Sequence, residues 1–383
     1  MELEKFSQID LENLSVNKIV EIFMQEEREF NNTIVKIGFT GQSGAGKSSL
    51  INAIIGAKVA KVGSTETTEK SDSYIYNGLE LYDLPGCGTQ SFPVETYIED
   101  LNLKQLDCFI VVTAQRIYEN DVYLYNELTK MGISCFFVRT HIDKAIEDED
   151  YDNGLSEEET LQKVRKDISS KIDIDIDKVY LVSSRKPLSY DLPSLLRDIT
   201  LSLKDIKRMR FLADSAVISK EILEAKEEVA KKIITWHAIV AAANGINPIP
   251  GTDIIGDVTI LKNMVDKVNK IFHLDEESLK YLETKFPKLK QSTDFQIHKQ
   301  ATLQRLAKYA AKESIIKILQ ELIVKNTSKE VAKRFGKYIP YIGQAVAAGV
   351  SYKLMASFGE EYYIEAKENL ENIFNDIQNS ITK

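Results

Sequence analysis

The chain is poor in cysteine and contains no long apolar run. Its 383 residues include three cysteines, Cys87, Cys108 and Cys135. This odd number argues against a disulfide framework and for a reducing, cytoplasmic compartment. No stretch reaches about 18 uninterrupted apolar residues, so we expect no membrane-spanning helix. The opening MELEKFSQ lacks the features of a signal peptide and the Met-Gly start of myristoylation, so we expect no constitutive lipid anchor.

The chain also has no excess of basic over acidic residues. The chain carries 49 Lys and Arg against 58 Asp and Glu, and its formal net charge is −9. This balance argues against unspecific binding of nucleic acid, and we expect no nucleic-acid partner. The length and the hydrophobic content of 43% are sufficient for one large or two ordinary domains with real cores.

Short strand-like runs alternate with helical patterns between residues 34 and 203. The runs cover residues 34–41, 79–86, 108–114, 135–140 and 179–184. Apolar strands that alternate with helices predict an α/β fold with a doubly wound, mostly parallel sheet covered on both faces. The acidic stretch 147–154 is predicted to be a solvated loop, and Ser156 with Glu159 forms a predicted capping box at the start of the next helix.

The part of the chain after residue 203 shows only helical periodicity. The segments 238–261 and 336–359 each contain a proline-bearing break, a glycine and a small-residue apolar helix. They are interpreted either as core hairpins of a helical bundle or as a surface that contacts lipid. The first 31 residues predict a leading helix.

A phosphate-binding loop follows the first strand. The sequence GQSGAGKS fits G-x-x-x-x-G-K-S between a strand and a helix, which is the context that supports this motif. Its glycines let backbone N–H groups surround phosphates, while Lys47 supplies a charge to the β- and γ-phosphates and Ser48 a hydroxyl to Mg²⁺. The candidate nucleotide-binding residues here are Gly41, Gln42, Ser43, Gly44, Ala45, Gly46, Lys47, Ser48 and Ser49.

A second motif, Asp83-Leu84-Pro85-Gly86, ends the next core strand. Asp83 is predicted to hold the Mg²⁺ shell, and the Gly86 N–H to contact the γ-phosphate. The residue that follows is Cys87, where Ras-type enzymes carry the Gln that orients the attacking water. Gln90 lies three positions further on, so the water-positioning group must come from elsewhere or hydrolysis is slow. Cys87 is interpreted as a small loop residue or as a redox switch.

Between these motifs lies the hydroxyl-rich stretch 61–69, KVGSTETTE. Its position and composition are typical of a loop that senses the nucleotide. One of its threonines is predicted to complete the Mg²⁺ shell when a γ-phosphate is present.

The stretch VRTHID, residues 138–143, predicts a base-reading loop at the end of the fourth run. The Asp143 carboxylate can accept two hydrogen bonds from guanine, whereas adenine would leave it unpaired at a cost of roughly 1–3 kcal/mol. We therefore expect guanine, with ATP as the less favoured alternative. Thr140 belongs to the same loop, and His141 stands where Lys is usual, so its ring is expected to stack on the base at some loss of affinity. A backbone N–H of Ser183 or Ser184 is expected to bind the guanine O6.

Together these stretches resemble the immunity-related (interferon-inducible) GTPases. The resemblance covers roughly residues 15–370 and is carried by GQSGAGKSSLINAI, KVGSTETTEKSDSY, LELYDLPGCGT, CFFVRTHID and VYLVSSRKPLSYDLPSLLRDI. It implies a Ras-like GTP-binding domain over residues 32–203. It also implies an all-α helical domain built from both chain ends, residues 1–31 and 204–383.

The resemblance also implies a GTP/GDP cycle with Mg²⁺ and hydrolysis activated by GTP-dependent formation of a homodimer or oligomer. The family motif E-x-T matches Glu66-Thr67-Thr68, which makes Thr68 a Mg²⁺ ligand beside Ser48 and Asp83 and gives Glu66 a role at the dimer interface. Lys47, Glu66 and Thr68 are thus the candidate catalytic residues. Peripheral membrane contact is expected from the family. The alternative function is a membrane-associated, nucleotide-gated scaffold with negligible hydrolysis.

Overall fold

The computed structural model of the protein describes residues 16–61, 72–217, 219–245, 253–311, 313–318 and 350–382. The chain forms two compact units. One comprises residues 33–223, and the other comprises residues 1–32 together with 224–383. The predicted domains, residues 32–203 and residues 1–31 together with 204–383, stay a prediction.

The unit of residues 33–223 is built on a six-stranded sheet with the order β2-β3-β1-β4-β5-β6. The strands are β1 (Val35–Thr40), β2 (Asp72–Tyr76), β3 (Leu79–Asp83), β4 (Cys108–Thr113), β5 (Ser134–Arg139) and β6 (Val179–Leu181). All neighbouring strands are parallel except β2 and β3. Every residue of β4 is buried, as expected for a central strand covered on both faces. The predicted fold class is confirmed.

The edge strand β2 was not predicted from the sequence. It pairs antiparallel with β3 through a tight turn at Asn77 and Gly78, and Asn77 has a left-handed φ of 50°. An Asn-Gly pair between alternating apolar and polar residues is a strong hairpin signal, and DSYIYNGLELYD contains it. The Gly78 N–H also donates a 3.0 Å hydrogen bond to the buried Asp214 carboxylate, which anchors the turn.

Helices connect the strands on both faces of the sheet. They are Lys47–Ile55, Tyr97–Asp100, Glu119–Lys130, Ile142–Asn153, Glu157–Ile172, Leu192–Ser202 and Asp205–Asp214. The predicted capping box of Ser156 and Glu159 is present. The predicted acidic loop at 147–154 was wrong, because this stretch is helical up to Asn153 and ends at Gly154 in the left-handed region. An ion pair of 2.8 Å between Lys163 and Glu149 ties the acidic helix to its neighbour, which local sequence does not reveal.

The other unit is helical wherever it is described. Its helices are Val16–Asn32, Asp253–Ile271, Glu276–Lys285, Thr293–Ala310 and Val350–Thr382, together with most of Lys220–Gly245. The N-terminal helix packs against this C-terminal part. Trp236 donates a 3.0 Å hydrogen bond to Glu26, and its ring packs at a tilt of 54° against Phe30 with the ring centroids 5.5 Å apart. Lys267 pairs with Glu27 at 2.7 Å. Both chain ends therefore build one helical unit.

The two proline-bearing breaks at 246–252 and 336–349 lie outside the described residues. Whether they form repeated hairpins or a lipid-contacting surface stays a prediction. Among the helices that are described, none combines the length and the apolar character needed to cross a membrane.

Candidate nucleotide-binding site

The loop between β1 and the helix Lys47–Ile55 is shaped by glycine. Gly41 has a φ of +144°, and a Cβ at this position would lie 2.0 Å from the Val112 carbonyl oxygen. Gly46, at φ +87°, faces the ring of His141, whose Nε2 lies 3.2 Å from the place of such a carbon. The loop can therefore take this path only with glycine at Gly41, where any side chain would overlap a neighbouring strand. The N–H groups of the loop directly precede the N-terminus of the helix Lys47–Ile55, as a phosphate cradle requires.

Lys47 lies inside this loop. Its ammonium donates a 2.9 Å hydrogen bond to the Gly41 carbonyl and is 3.6 Å from the Asp83 carboxylate. Burial lowers the pKa of Lys47, and the charge of Asp83 opposes this change. A buried ammonium held by two acceptors at the mouth of the cradle is available to an incoming phosphate, which carries more negative charge than either acceptor.

Ser48 and Asp83 meet at the ends of the helix and of β3. The Ser48 hydroxyl donates a 2.8 Å hydrogen bond to Asp83 Oδ2, while the buried Oδ1 has no hydrogen-bond partner within the described chain. A hydroxyl beside a carboxylate with spare acceptor capacity fits Mg²⁺, which prefers oxygen ligands and keeps contacts to substrate phosphates. In the described ranges no cluster of three or more acidic, His or Cys side chains suggests a cage made by protein alone.

The segment after Asp83 is fixed by Tyr97. Its hydroxyl donates a 2.5 Å hydrogen bond to the Pro85 carbonyl, and Thr40 donates a second one of 3.1 Å to the same oxygen. Since Thr40 directly precedes the phosphate-binding loop, these bonds connect Pro85 to the start of that loop. No local signal in the sequence points to Tyr97, because it is 12 residues from Pro85 along the chain.

Cys87 is only 1% exposed, and burial raises the pKa of its thiol to about 11. Such a thiol stays protonated near neutral pH and is a poor nucleophile. This favours the interpretation of Cys87 as a small buried loop residue over that of a redox switch. Gln90 is exposed in the turn that follows.

The base-reading motif is tied to the phosphate-binding loop by Thr140. Its hydroxyl donates a 2.6 Å hydrogen bond to the Ala45 carbonyl, and its N–H donates one of 2.9 Å to the Thr113 carbonyl. His141 follows in the left-handed conformation with φ 54°. Partial burial lowers the pKa of its ring, so the ring is neutral near neutral pH. Asp143 is 7% exposed in the first turn of the helix Ile142–Asn153.

The loop after β6 reaches the same edge of the sheet. The Val182 N–H donates to the Arg139 carbonyl at 2.8 Å, which sets the loop beside the base-reading motif. The buried Ser183 hydroxyl accepts hydrogen bonds of 3.2 Å from the N–H groups of Arg185 and Lys186. Ser184 lies in the same turn, and Ser49 is half-buried in the first turn of the helix Lys47–Ile55.

Two buried charged residues at this site were missed by the sequence analysis. Asp121 is 1% exposed, and neither of its carboxylate oxygens has a hydrogen-bond partner in the part of the chain described. Burial raises the pKa of this carboxyl to about 6, and the backbone of Tyr118 and the charge of Lys47 oppose the change. Burial likewise lowers the pKa of Arg139 to about 10. Both line a cavity of about 760 Å³ beside Gln42 and His141.

The predicted catalytic residues Glu66 and Thr68 lie outside the described residues, so their roles stay predictions. The chain that leads toward them is held by Asn52. Its side chain accepts hydrogen bonds from the N–H groups of Val59 and Ala60 and donates one of 2.8 Å to the Ala60 carbonyl. The two residues Val59 and Ala60, which precede the predicted switch loop, are thereby fixed to the helix that follows the cradle.

Comparison with known proteins gives a family for this chain. The family model "Interferon-inducible GTPase (IIGP)" matches residues 4–348. The chain belongs to the interferon-inducible GTPase family. This confirms the resemblance inferred from the sequence motifs.

Among curated relatives, the interferon-inducible GTPase 5 of Rattus norvegicus is 28% identical over 333 residues, which is 84% of this chain and 70% of the relative. The T-cell-specific guanine nucleotide triphosphate-binding protein 2 of Mus musculus is 26% identical over 379 residues, which is 94% of this chain and 85% of the relative. Among solved structures, a probable GTP-binding protein engB is 22% identical at a TM-score of 0.33, covering 44% of this chain and 98% of its own.

Proposed function

We propose that this chain binds GTP and hydrolyses it to GDP and phosphate with the help of Mg²⁺. The observation that carries the proposal is the convergence of Lys47, Ser48 and Asp83 beside a glycine-shaped loop at the carboxyl ends of β1 and β3. Ligands bind at this edge of open α/β sheets. Membership of the interferon-inducible GTPase family supports the same reaction.

The residues have separate tasks in this proposal. Lys47 and the N–H groups of the loop neutralise the charge that develops on the phosphates, and Ser48 and Asp83 hold Mg²⁺ together with Thr68. When bound, Mg²⁺ would neutralise part of the negative charge on the phosphates. The N–H of Gly86 contacts the γ-phosphate. The position of the segment held by Tyr97 therefore depends on whether that phosphate is bound.

Guanine is chosen by Asp143, whose burial supports this role. A carboxylate that is 7% exposed is costly to leave unpaired, so a base without two matching donors binds poorly. Equilibrium binding of labelled GTP, GDP and ATP tests the proposal. We expect both guanine nucleotides to bind at least about tenfold more tightly than ATP, which corresponds to about 1.4 kcal/mol. Equal affinity for ATP would contradict it.

Hydrolysis is completed in this proposal by self-association through the nucleotide face. Cys87 stands where a water-orienting Gln is usual, and its buried thiol does not supply that function. Glu66, which the family resemblance assigns to the dimer interface, completes the site in the GTP-bound dimer. The dimer excludes solvent from the reacting phosphate and loosens after hydrolysis.

The alternative is a nucleotide-gated scaffold that binds GTP with negligible turnover. Turnover per molecule that stays near zero at all protein concentrations would favour it. Peripheral contact with membranes from the cytoplasmic side also belongs to the proposal, and it is supported by family resemblance only. A liposome co-sedimentation assay with GTP and with GDP tests that contact.

A further inference from the structure

The site needs a group that orients the attacking water, and the residues after Gly86 do not provide one. Cys87 points into the core, where it is 1% exposed. Gln90 has the right chemistry, but it lies exposed in the turn formed by Thr89 and Phe92. Another carboxamide, that of Gln42, lies close to Gly86.

Gln42 places its carboxamide against Gly86. Its Nε2 lies 3.2 Å, and its Oε1 3.3 Å, from the position that a Cβ would occupy at Gly86. The side chain is half-buried, and no hydrogen bond of its amide group is found among the described residues. Within that part of the chain, both the donor and the acceptor of this amide can therefore bind water and phosphate.

The backbone of Gln42 is held firmly while its amide is free. Its carbonyl accepts a 3.0 Å hydrogen bond from the Ala45 N–H inside the phosphate-binding loop. The neighbouring Gly41 lies close against Val112, which fixes the loop from the other side. A backbone fixed in this way limits the positions that the side chain can reach, and positioning of a reactant requires such a limit.

We propose that the Gln42 side chain positions the attacking water for GTP hydrolysis, in place of the absent Gln after Gly86. This inference rests on the proposed function. The amide oxygen accepts a hydrogen bond from the water, and the amide N–H donates to a γ-phosphate oxygen. The water oxygen forms a bond to the γ-phosphorus, and the bond to the β–γ bridging oxygen breaks with its electron pair on GDP. The water proton leaves with the inorganic phosphate.

The test compares Gln42→Ala with Gln90→Ala, which removes the same group from the exposed turn. Single-turnover hydrolysis, GDP affinity and the protein concentration for half-maximal activity are measured for both and for the unmutated chain. We expect Gln42→Ala to slow hydrolysis by about 10- to 100-fold, with GDP affinity and the half-maximal concentration within about twofold. Gln90→Ala is expected to behave like the unmutated chain. Gln42→Glu, which keeps the acceptor but repels the γ-phosphate, is also expected to be slow.

A readout without turnover separates positioning from structural damage. The complex of GDP, Mg²⁺ and aluminium fluoride mimics the transferring phosphoryl group with its in-line water, and Gln42→Ala should bind it more weakly by a factor similar to the loss of rate. The inference is overturned if Gln42→Ala hydrolyses GTP normally, if GDP affinity falls as much as the rate, or if only the half-maximal concentration moves. An unmutated chain without any turnover would overturn the proposed function itself, and the inference with it.

Discussion

The Ser48 hydroxyl donates a 2.8 Å hydrogen bond to the carboxylate of Asp83. These residues belong to different motifs, one at the start of a helix and the other at the end of β3. Because both are oxygen donors at one point of the site, a single divalent cation can be held by both while it contacts phosphate. The bond between them is thus the structural basis for the proposed Mg²⁺ site.

Ser48→Asn and Lys47→Ala should both abolish GTP turnover. Ser48→Asn disturbs the Mg²⁺ ligands, so we expect the Mg²⁺ concentration needed for nucleotide binding to rise. Lys47→Ala removes the charge that faces the β- and γ-phosphates, so GTP affinity should fall as well. Phosphate release and binding of labelled GTP across a Mg²⁺ titration check both. Ser73→Asn, on the exposed edge strand, is the matched control. Normal turnover in either site variant would mean that this loop is not the active site.

Asp143→Asn should change the base preference from guanine to xanthine. The substitution replaces an acceptor by a donor, so the variant pairs with a base that presents the opposite hydrogen-bond polarity. Competition of XTP and GTP for the labelled nucleotide measures the change, and we expect GTP affinity to fall by about tenfold or more. Asp150→Asn, on the exposed face of the same helix, serves as control. An unaltered preference in Asp143→Asn would remove this residue from base recognition.

His141→Lys should tighten GTP and GDP binding together. The long aliphatic stem of Lys covers more of the base plane than the imidazole ring does, and the residue reads no donor or acceptor of the base. The ratio of GTP to ATP affinity is therefore expected to stay within about twofold of that of the unmutated chain. Isothermal titration with the three nucleotides measures both quantities. A strong shift of the ratio would show that His141 itself reads the base.

The parts of this fold that local sequence determines were predicted well. The five strand-like runs correspond to β1, β3, β4, β5 and β6, since each is a short apolar stretch between polar or glycine-containing turns. The missed strand, β2, carries its own local signal in Asn77-Gly78. The helix Ile142–Asn153 was missed because its acidic sequence resembles a solvated loop, and its ion pair with Lys163 of another helix is not visible in local sequence.

Contacts between distant segments could not be predicted in this way. The sequence identifies Lys47, Ser48 and Asp83 because their spacing forms known motifs. It gives no sign that Tyr97 holds Pro85 or that Asp121 lies beside Lys47. Such contacts depend on how helices pack on the sheet, and neither residue type nor spacing encodes that packing locally.

Asp121 should make the stability of the nucleotide-free protein depend on pH. Burial raises the pKa of this carboxyl to about 6, so the folded chain keeps a proton that the unfolded chain releases. The contribution of Asp121 to the free energy of unfolding is therefore greatest below about pH 4 and is lost as the pH rises through about 6. Asp121→Asn, which cannot ionise, should be more stable than the unmutated chain near neutral pH, on the order of 2 kcal/mol.

Urea unfolding at about pH 4 and near neutral pH measures the difference in stability between Asp121→Asn and the unmutated chain. Glu119→Gln, on the exposed start of the same helix, is the control. The two chains should be equally stable near the acidic end of the range. A pH dependence that Asp121→Asn leaves unaltered would contradict the assignment of the effect to this residue.

The most direct test of the central claim is phosphate release per molecule at saturating GTP, measured from well below to well above micromolar protein. If the chain is a GTPase completed by self-association, turnover per molecule rises with protein concentration, and Glu66→Ala lowers the plateau without a matching loss of GTP affinity. Turnover that is constant across the titration, together with unaltered kinetics in Glu66→Ala, would contradict the dimer mechanism.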